Sequence, residues 1–183
     1  MKINMLKVMN SETIMFVPEW KDDGSLRTIV VRTEGKMLVD MSPTDLMDAV
    51  LRYYGSSLKG AKDGTRTILG DISMQPVVVS EKLGLYSFPS ISPANPECIW
   101  FLHHQIYSYT AIDKKKIVVE MMNGTKITVE TSHRSFDWKV KQASHLRCQM
   151  EGRPAYQVKE TQVSYYINKK LKDRNYDIDE FYE

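Results

Sequence analysis

The chain has 183 residues, and its 25 Lys and Arg residues against 23 Asp and Glu residues give a formal net charge of +2. That length fits one domain, or one domain with an appendage, and is enough to bury a core. The net charge is too small to indicate a nucleic-acid partner by itself, and a membrane-spanning helix is excluded because no apolar run approaches the ~18 residues that it needs.

The first forty residues are predicted to form antiparallel strands. Segments 13–20 and 26–33 are rich in β-branched and aromatic side chains, and the turn-forming segment 21–24 separates them. This pattern predicts a β-hairpin. A short strand at 36–41 follows a turn at Glu34-Gly35.

A helix is predicted over residues 43–54. Ser42 is a good N-cap, Pro43 suits the first helical position, and Asp45 favours the first turn. Gly55 fits the position just after the helix. One face forms an apolar stripe of Leu46, Ala49, Val50, Tyr53 and Tyr54.

Four glycines at positions 55, 60, 64 and 70 lie in the stretch 52–70. We expect a loop here whose backbone can approach an anionic ligand closely, since glycine tolerates left-handed conformations. The stretch also carries four cations, Arg52, Lys59, Lys62 and Arg66. It is not a nucleotide-binding P-loop, because Ala61 comes directly after Gly60 and Thr65 directly after Gly64, where the motif requires a Lys. The alternative is a mobile surface connection with scattered lysines.

Strands are then predicted at 76–79 and 85–88 and, after a crossing loop, at 99–109. The loop is expected because Pro89, Pro93 and Pro96 forbid a helix and interrupt a β-ladder.

Residues 117–130 are predicted to form a hairpin around Asn123-Gly124. A two-residue turn would mix polar and apolar side chains on each face. A three-residue loop with Gly124 left-handed in a bulge instead pairs Val119 with Ile127 and Ile117 with Val129, so this register is expected.

A second helix is predicted from residue 132 to 152, capped by Ser132 or Ser135. Its buried stripe is expected to be Phe136, Val140, Ala143, Leu146 and Met150. Another face carries Arg134, Trp138, Lys141 and His145, with Lys139 and Arg147 nearby. Residues 114–152 contain 8 Lys and Arg against 4 Asp and Glu, so the basic excess of the chain lies here. The face is a candidate nucleic-acid surface, or a solvated basic face.

The C-terminal segment is expected to be an extension to a β-rich domain that spans residues 1–152. Within 153–183 we predict a short helix at 163–171 and an acidic, aromatic tail from Asn175.

Catalytic and metal sites are not expected. His103 and His104 follow Cys98, but neighbours on a strand point to opposite faces and cannot converge on a metal. Asp22-Asp23 and Asp179-Glu180 lie in turn or tail contexts without an apolar pocket. No dinucleotide-binding motif follows a strand. We therefore predict a protein that is not an enzyme and has no cofactor. No Cys-x-x-Cys pair or signal sequence is found, so reduced thiols in the cytoplasm are expected.

Several short elements occur in a specific order: an aromatic pair before Gly-Ser-Ser, a later Gly-Thr, Phe-Pro-Ser at 88–90 and Pro-x-Cys-x-Trp at 96–100. In this the chain resembles the competence transcription factor ComK family of Gram-positive bacteria. The resemblance covers much of residues 40–110 and continues more weakly to about residue 150.

The resemblance implies an activator that binds double-stranded DNA at A/T-rich promoter boxes through the minor groove, as a homo-oligomer, and switches on competence (DNA-uptake) genes. It further implies a cytoplasmic, nucleoid-associated protein. Members carry a C-terminal segment recognised by a MecA-type adaptor, which delivers them to a Clp protease, but its hydrophobic-Pro-Lys core has no match here. The candidate DNA-binding residues are Arg52, Lys59, Lys62, Arg66, Arg134, Lys139, Lys141, His145 and Arg147.

The predicted fold class is α+β, a mainly antiparallel sheet with two or three helices. Two other functions stay open: a protein-interaction adaptor that uses the acidic tail without binding DNA, and an enzyme that acts on a phosphorylated ligand at the glycine-rich stretch.

Overall fold

The computed structural model describes residues 3–153. The predictions for the later segment, its short helix and acidic tail among them, lie outside the described residues, and the proposed division at residue 152 stays a prediction.

The described chain is an α+β fold in which every strand pairing is antiparallel, as predicted. A six-stranded sheet has the order β3-β2-β1-β6-β5-β4, and a three-stranded sheet has the order β7-β8-β9. The strands are β1 Thr13–Trp20, β2 Leu26–Arg32, β3 Lys36–Val39, β4 Val77–Ser80, β5 Leu85–Pro89, β6 Trp100–Leu102, β7 Ile106–Ala111, β8 Ile117–Met121 and β9 Lys126–Val129. The helices are α1 Met5–Val8, α2 Pro43–Tyr53, α3 Leu58–Leu69 and α4 His133–Gly152.

The six-stranded sheet buries both of its faces. Neighbouring residues on β1 point to opposite sides, so Phe16 and its partner Trp100 join the core that contains α2, while Met15 and its partner Phe101 join the other core. That second core contains the inner face of the three-stranded sheet and Phe136 of α4.

Aromatic side chains fix α4 against both sheets. The ring of Phe136 lies 5.7 Å from that of Phe88, 5.5 Å from that of Phe101 and 5.1 Å from that of Tyr109, in edge-to-face geometry each time. Such pairs add about 0.5–1.5 kcal/mol each beyond their buried area. The buried side of α4, which lies opposite its exposed face, therefore fixes the position of the helix.

The β8–β9 register is confirmed. Ile117 pairs with Val129 and Val119 with Ile127, and Gly124 has a φ of 82°. Val119 is buried and Ile127 packs against the same core, as the bulged three-residue loop requires.

The single strand predicted over residues 99–109 is wrong. A 3₁₀ turn, His103–Gln105, separates β6 from β7 and carries the chain from one sheet to the other. The buried Gln105 side chain donates to the Ser11 carbonyl oxygen at 2.9 Å, which ties this turn to the start of β1.

Candidate nucleic-acid interface

The stretch predicted as a glycine-rich loop is helix α3 for most of its length, so that prediction is wrong. Ser57 caps the helix by accepting from the Gly60 N–H at 3.1 Å, and Gly70, with a φ of 81°, ends it. Gly60 and Gly64 lie inside the helix, where glycine is unfavourable. A tertiary contact compensates: the buried Thr65 hydroxyl donates to the Pro76 carbonyl oxygen at 2.7 Å.

Three of the candidate cations are therefore presented by a helix. Arg66 lies 3.3 Å from carboxylate oxygens of both Asp63 and Asp71, so its charge is locally balanced. Lys59 is exposed and Lys62 half-buried, and neither has an ion-pair partner within residues 3–153.

Arg52 lies near the end of α2 and is also paired. Its Nε donates to Asp48 Oδ2 at 2.7 Å, while the other oxygen of Asp48 accepts from the Leu58 N–H at 2.7 Å. That backbone bond, and then the arginine, lower the pKa of Asp48. Asp48 thus joins α2 to the start of α3.

Helix α4 begins where the capping pattern predicts. Ser132, and not Ser135, is the N-cap, and its hydroxyl accepts from the Ser135 N–H at 3.2 Å. Phe136, Ala143 and Leu146 are buried as expected, with Val140 and Met150 half-buried.

The predicted basic face of α4 is exposed. Arg134, Lys141 and His145 are exposed, and Trp138 has 36% of its surface accessible. At a rise of 1.5 Å per residue, Arg134 and His145 lie about 16 Å apart along the helix. This face is therefore long enough to follow several nucleotides of a duplex.

A carboxylate holds the middle of this face in place. Asp137 Oδ2 lies 2.7 Å from Lys141 Nζ, and Asp137 Oδ1 accepts from the Tyr109 hydroxyl at 2.9 Å. The lysine, and then the tyrosine, lower the pKa of Asp137. Burial, together with this carboxylate, raises the pKa of Tyr109 to about 12. The exposed face is thus anchored to β7.

A shallow open groove runs beside Trp138. Two hydroxyls, one guanidinium, the exposed indole and the ion pair of Lys141 with Asp137 line it. The guanidinium and the indole suit a ligand that offers both phosphates and flat or apolar surface. Its residues are Ser132, Arg134, Ser135, Asp137, Trp138 and Lys141.

Lys139 does not belong to the exposed face. It is only 5% accessible, and its ammonium donates to the Ser90 carbonyl oxygen. Burial lowers the pKa of Lys139. The reason is helical geometry, since residue 139 precedes Ala143 by four and Leu146 by seven, which puts it on the buried stripe. This spacing is visible in the sequence and could have excluded Lys139 from the exposed face.

Arg147 is also separate from the other cations of α4. It lies thirteen residues after Arg134, which turns it about 140° away from Arg134 around the helix, and it pairs with Glu151 at 2.8 Å. Burial lowers the pKa of His103 and of His104, and the positive charge of Arg147 adds to this effect. The structure therefore brings together Arg134, Trp138, Lys141 and His145 on one face of α4, and α3 packs against α4.

Three lysines outside the candidate set predicted from the sequence lie close to this face. Lys114, Lys115 and Lys116 form the turn between β7 and β8 and are all exposed. A second groove, lined by Lys115, Lys116, Glu130, Thr131 and Ser132, separates the turn from the start of α4. The two grooves share Ser132. The run of three lysines between two strands was the feature of the sequence that could have identified them as candidates.

Other kinds of site find no support within residues 3–153. No group of three or more potential metal-binding side chains occurs there, and no helix of that part is long and apolar enough to cross a membrane. His103 and His104 were expected on a strand, but they lie in the 3₁₀ turn.

Comparisons with known proteins agree with the resemblance noted in the sequence. A family model described as ComK protein matches residues 5–155. The competence transcription factor of Bacillus subtilis (strain 168) is 27% identical over 154 residues, which are 84% of this chain and 80% of that protein. No solved structure gives a significant match.

Proposed function

The chain belongs to the ComK protein family, and from this we propose that it is a transcription activator that binds double-stranded DNA. The relative from Bacillus subtilis is named a competence transcription factor. In this proposal the chain recognises A/T-rich promoter boxes through the minor groove as a homo-oligomer and activates competence genes, acting in the cytoplasm at the nucleoid. It is neither an enzyme nor dependent on a cofactor.

The observation that carries the proposal is the exposed, basic, aromatic face of α4. Arg134 is exposed and has no ion-pair partner among the described residues, so its guanidinium is available to a phosphate. Trp138 offers a flat apolar surface beside it, and His145 continues the face. Lys141 lies on the same face, but it would first have to exchange Asp137 for a phosphate, so it contributes less. A basic face of this kind is the electrostatic footprint of a DNA-binding protein.

The α3 surface is proposed as a secondary contact. Lys59 and Lys62 can each contact a phosphate without first breaking an ion pair within the described residues. Arg52 and Arg66 would first have to exchange a carboxylate partner for the phosphate, so each contributes less. Lys139 and Arg147 are left out of the proposed surface, because the first is buried and the second points away from the Arg134 face and pairs with Glu151.

A MecA-type adaptor and a Clp protease are partners that the family resemblance alone suggests. The hydrophobic-Pro-Lys core that the adaptor recognises in family members has no match in this sequence, so this partnership stays a prediction.

The test is a mobility-shift titration of the protein on an A/T-box duplex at several salt concentrations. Each phosphate contact adds about 0.9 to the slope of log K against log salt, so Arg134→Ala should lower the slope by about 0.9. Lys82→Ala is the matched control, because Lys82 is an exposed cation in the turn between β4 and β5 and lines neither groove. Equal slopes for the parent, Arg134→Ala and Lys82→Ala would contradict the assignment of this face.

A further inference from the structure

The width of the minor groove sets a limit on what α3 and α4 can do. A helix with its side chains is about 10–12 Å across, whereas the minor groove of B-DNA is about 6 Å wide. Neither helix fits an undeformed minor groove, so on the proposed function their cations contact phosphates from outside. An exposed turn at the end of a hairpin offers side chains that can reach into the groove.

The turn between β7 and β8 is such an element. Residues 110–116 are all exposed, so the turn projects from the end of the three-stranded sheet. Its backbone is closed by hydrogen bonds from the Ile112 and Asp113 N–H groups to the Lys116 carbonyl oxygen, at 2.9 and 3.2 Å. Asp113 Oδ1 accepts from the Lys115 N–H at 2.7 Å, which keeps this carboxylate occupied within the turn. The tip therefore has a defined shape before any ligand binds.

Two cations at this tip, Lys114 and Lys115, are available to a ligand, because neither has an ion-pair partner among residues 3–153. The third, Lys116, is paired, since its Nζ lies 3.9 Å from Glu130 Oε1. Their aliphatic stems allow the ammonium groups to reach into a narrow groove, where the negative potential of A/T tracts is strongest.

An apolar side chain lies beside these cations. Ile112 is 58% exposed at the same turn. Proteins that bind the minor groove combine cations with exposed apolar residues, Ile among them, which wedge between base steps. A single exposed isoleucine is ordinary on a protein surface. Its position next to two unpaired lysines on a projecting turn is what gives it significance.

The tip and the α4 face adjoin one another. The groove at the base of the tip and the groove beside Trp138 both include Ser132 in their lining. On the proposed function, the tip is therefore close to a duplex that Arg134 holds by its phosphates.

We propose that residues 112–116 enter the minor groove, with Lys114 and Lys115 contacting its phosphate edges and Ile112 contacting a base step. This inference rests on the proposed function and names the element that reads the groove.

Salt titration of mobility shifts tests the lysines. Lys115→Ala should lower the slope of log K against log salt by about 0.9, and Lys114→Ala/Lys115→Ala by about 1.8. Lys82→Ala, at the exposed turn between β4 and β5, should leave the slope unchanged. If the parent binds and the double variant keeps the parent slope, the assignment of the tip is overturned, while Arg134→Ala still decides the proposed function. If the parent binds no duplex, both are overturned.

Fluorescence of 2-aminopurine placed within the A/T box tests Ile112. Unstacking of the base raises the emission of 2-aminopurine. The parent should therefore raise this emission on binding and Ile112→Ser should not, when each protein is present at a concentration that saturates the duplex. Leu83→Ser is the control, because Leu83 is 49% exposed at the turn between β4 and β5. An equal rise with Ile112→Ser would overturn the wedge role of Ile112.

Discussion

Lys139 carries its charged group inside the protein, one residue after the exposed Trp138. An ammonium in this position is tolerated because it donates to the carbonyl oxygen of Ser90. The pattern of charges along α4 suggested a surface cation, and only the buried stripe of the helix corrects this. At the scale of single residues, the identity of a side chain predicts its chemistry but not its surroundings.

Two substitutions separate the packing role of Lys139 from any role in binding. Lys139→Ala should lower the free energy of unfolding by about 2–4 kcal/mol, since it leaves a cavity and an unpaired carbonyl. Lys139→Met keeps most of the volume and removes a buried charge, so it should lose less than Lys139→Ala. Urea denaturation measures both. Lys139→Met should also keep the parent salt slope on DNA, and a drop of about 0.9 would show that Lys139 does contact a phosphate.

The two histidines of the 3₁₀ turn should make stability depend on pH. Both are half-buried, and the Nδ1 atom of each is buried without a hydrogen-bond partner within residues 3–153. Burial lowers the pKa of both imidazoles from 6.5, and the positive charge of Arg147 adds to the effect. Below pH 6.5 the unfolded chain therefore binds more protons than the folded one, so stability is complete above that pH and falls as the solution is acidified.

Urea midpoints at pH 7.5 and 5.5 measure this dependence. The parent should lose stability between them, and His103→Gln/His104→Gln should lose clearly less. His145→Gln, which alters an exposed histidine of α4, should behave like the parent. The same acid-dependent loss in the double variant would show that other groups cause it.

At the scale of elements, the sequence predicts what local interactions decide. The β8–β9 hairpin was predicted with its register because alternation and the left-handed Gly124 both lie within the hairpin. Helix α3 was missed because its glycines favour a loop locally, whereas the contact that stabilises it, from Thr65 to Pro76, crosses to another element. The break between β6 and β7 was missed because it depends on a second sheet.

Two glycine substitutions test whether α3 is a helix in solution. Gly64 lies within the helix and has open space where an alanine methyl group would sit, so Gly64→Ala should raise the free energy of unfolding by about 0.5–1 kcal/mol. Gly70 has equal space but a φ of +81°, so Gly70→Ala should lower it by about 1 kcal/mol. Thermal or urea denaturation distinguishes the two signs. If Gly64→Ala instead lowered the free energy of unfolding, the segment would be a loop in solution and not a helix.

At the scale of the whole molecule, the candidate surface is partly predictable. The spacing of Arg134, Trp138 and Lys141 identified one exposed helical face. The lysines at 114–116 were not selected, because the chain separates them from α4 by a complete hairpin and only the folded structure places both grooves against Ser132. Surfaces built from distant segments need tertiary structure to be recognised.

The central claim is that this chain binds A/T-rich duplex DNA through the minor groove. The most direct measurement is competition in a mobility shift at fixed salt among three duplexes: an A/T box, the same box with I·C pairs in place of A·T, and a G/C duplex. I·C pairs have a minor groove like that of A·T and a major groove like that of G·C, since inosine lacks the guanine 2-amino group.

Recognition through the minor groove predicts that the A/T and I·C duplexes compete equally and that the G/C duplex is at least about tenfold weaker. An I·C duplex as weak as the G/C duplex would place recognition in the major groove. Equal competition by all three, or no binding to any, would contradict the central claim.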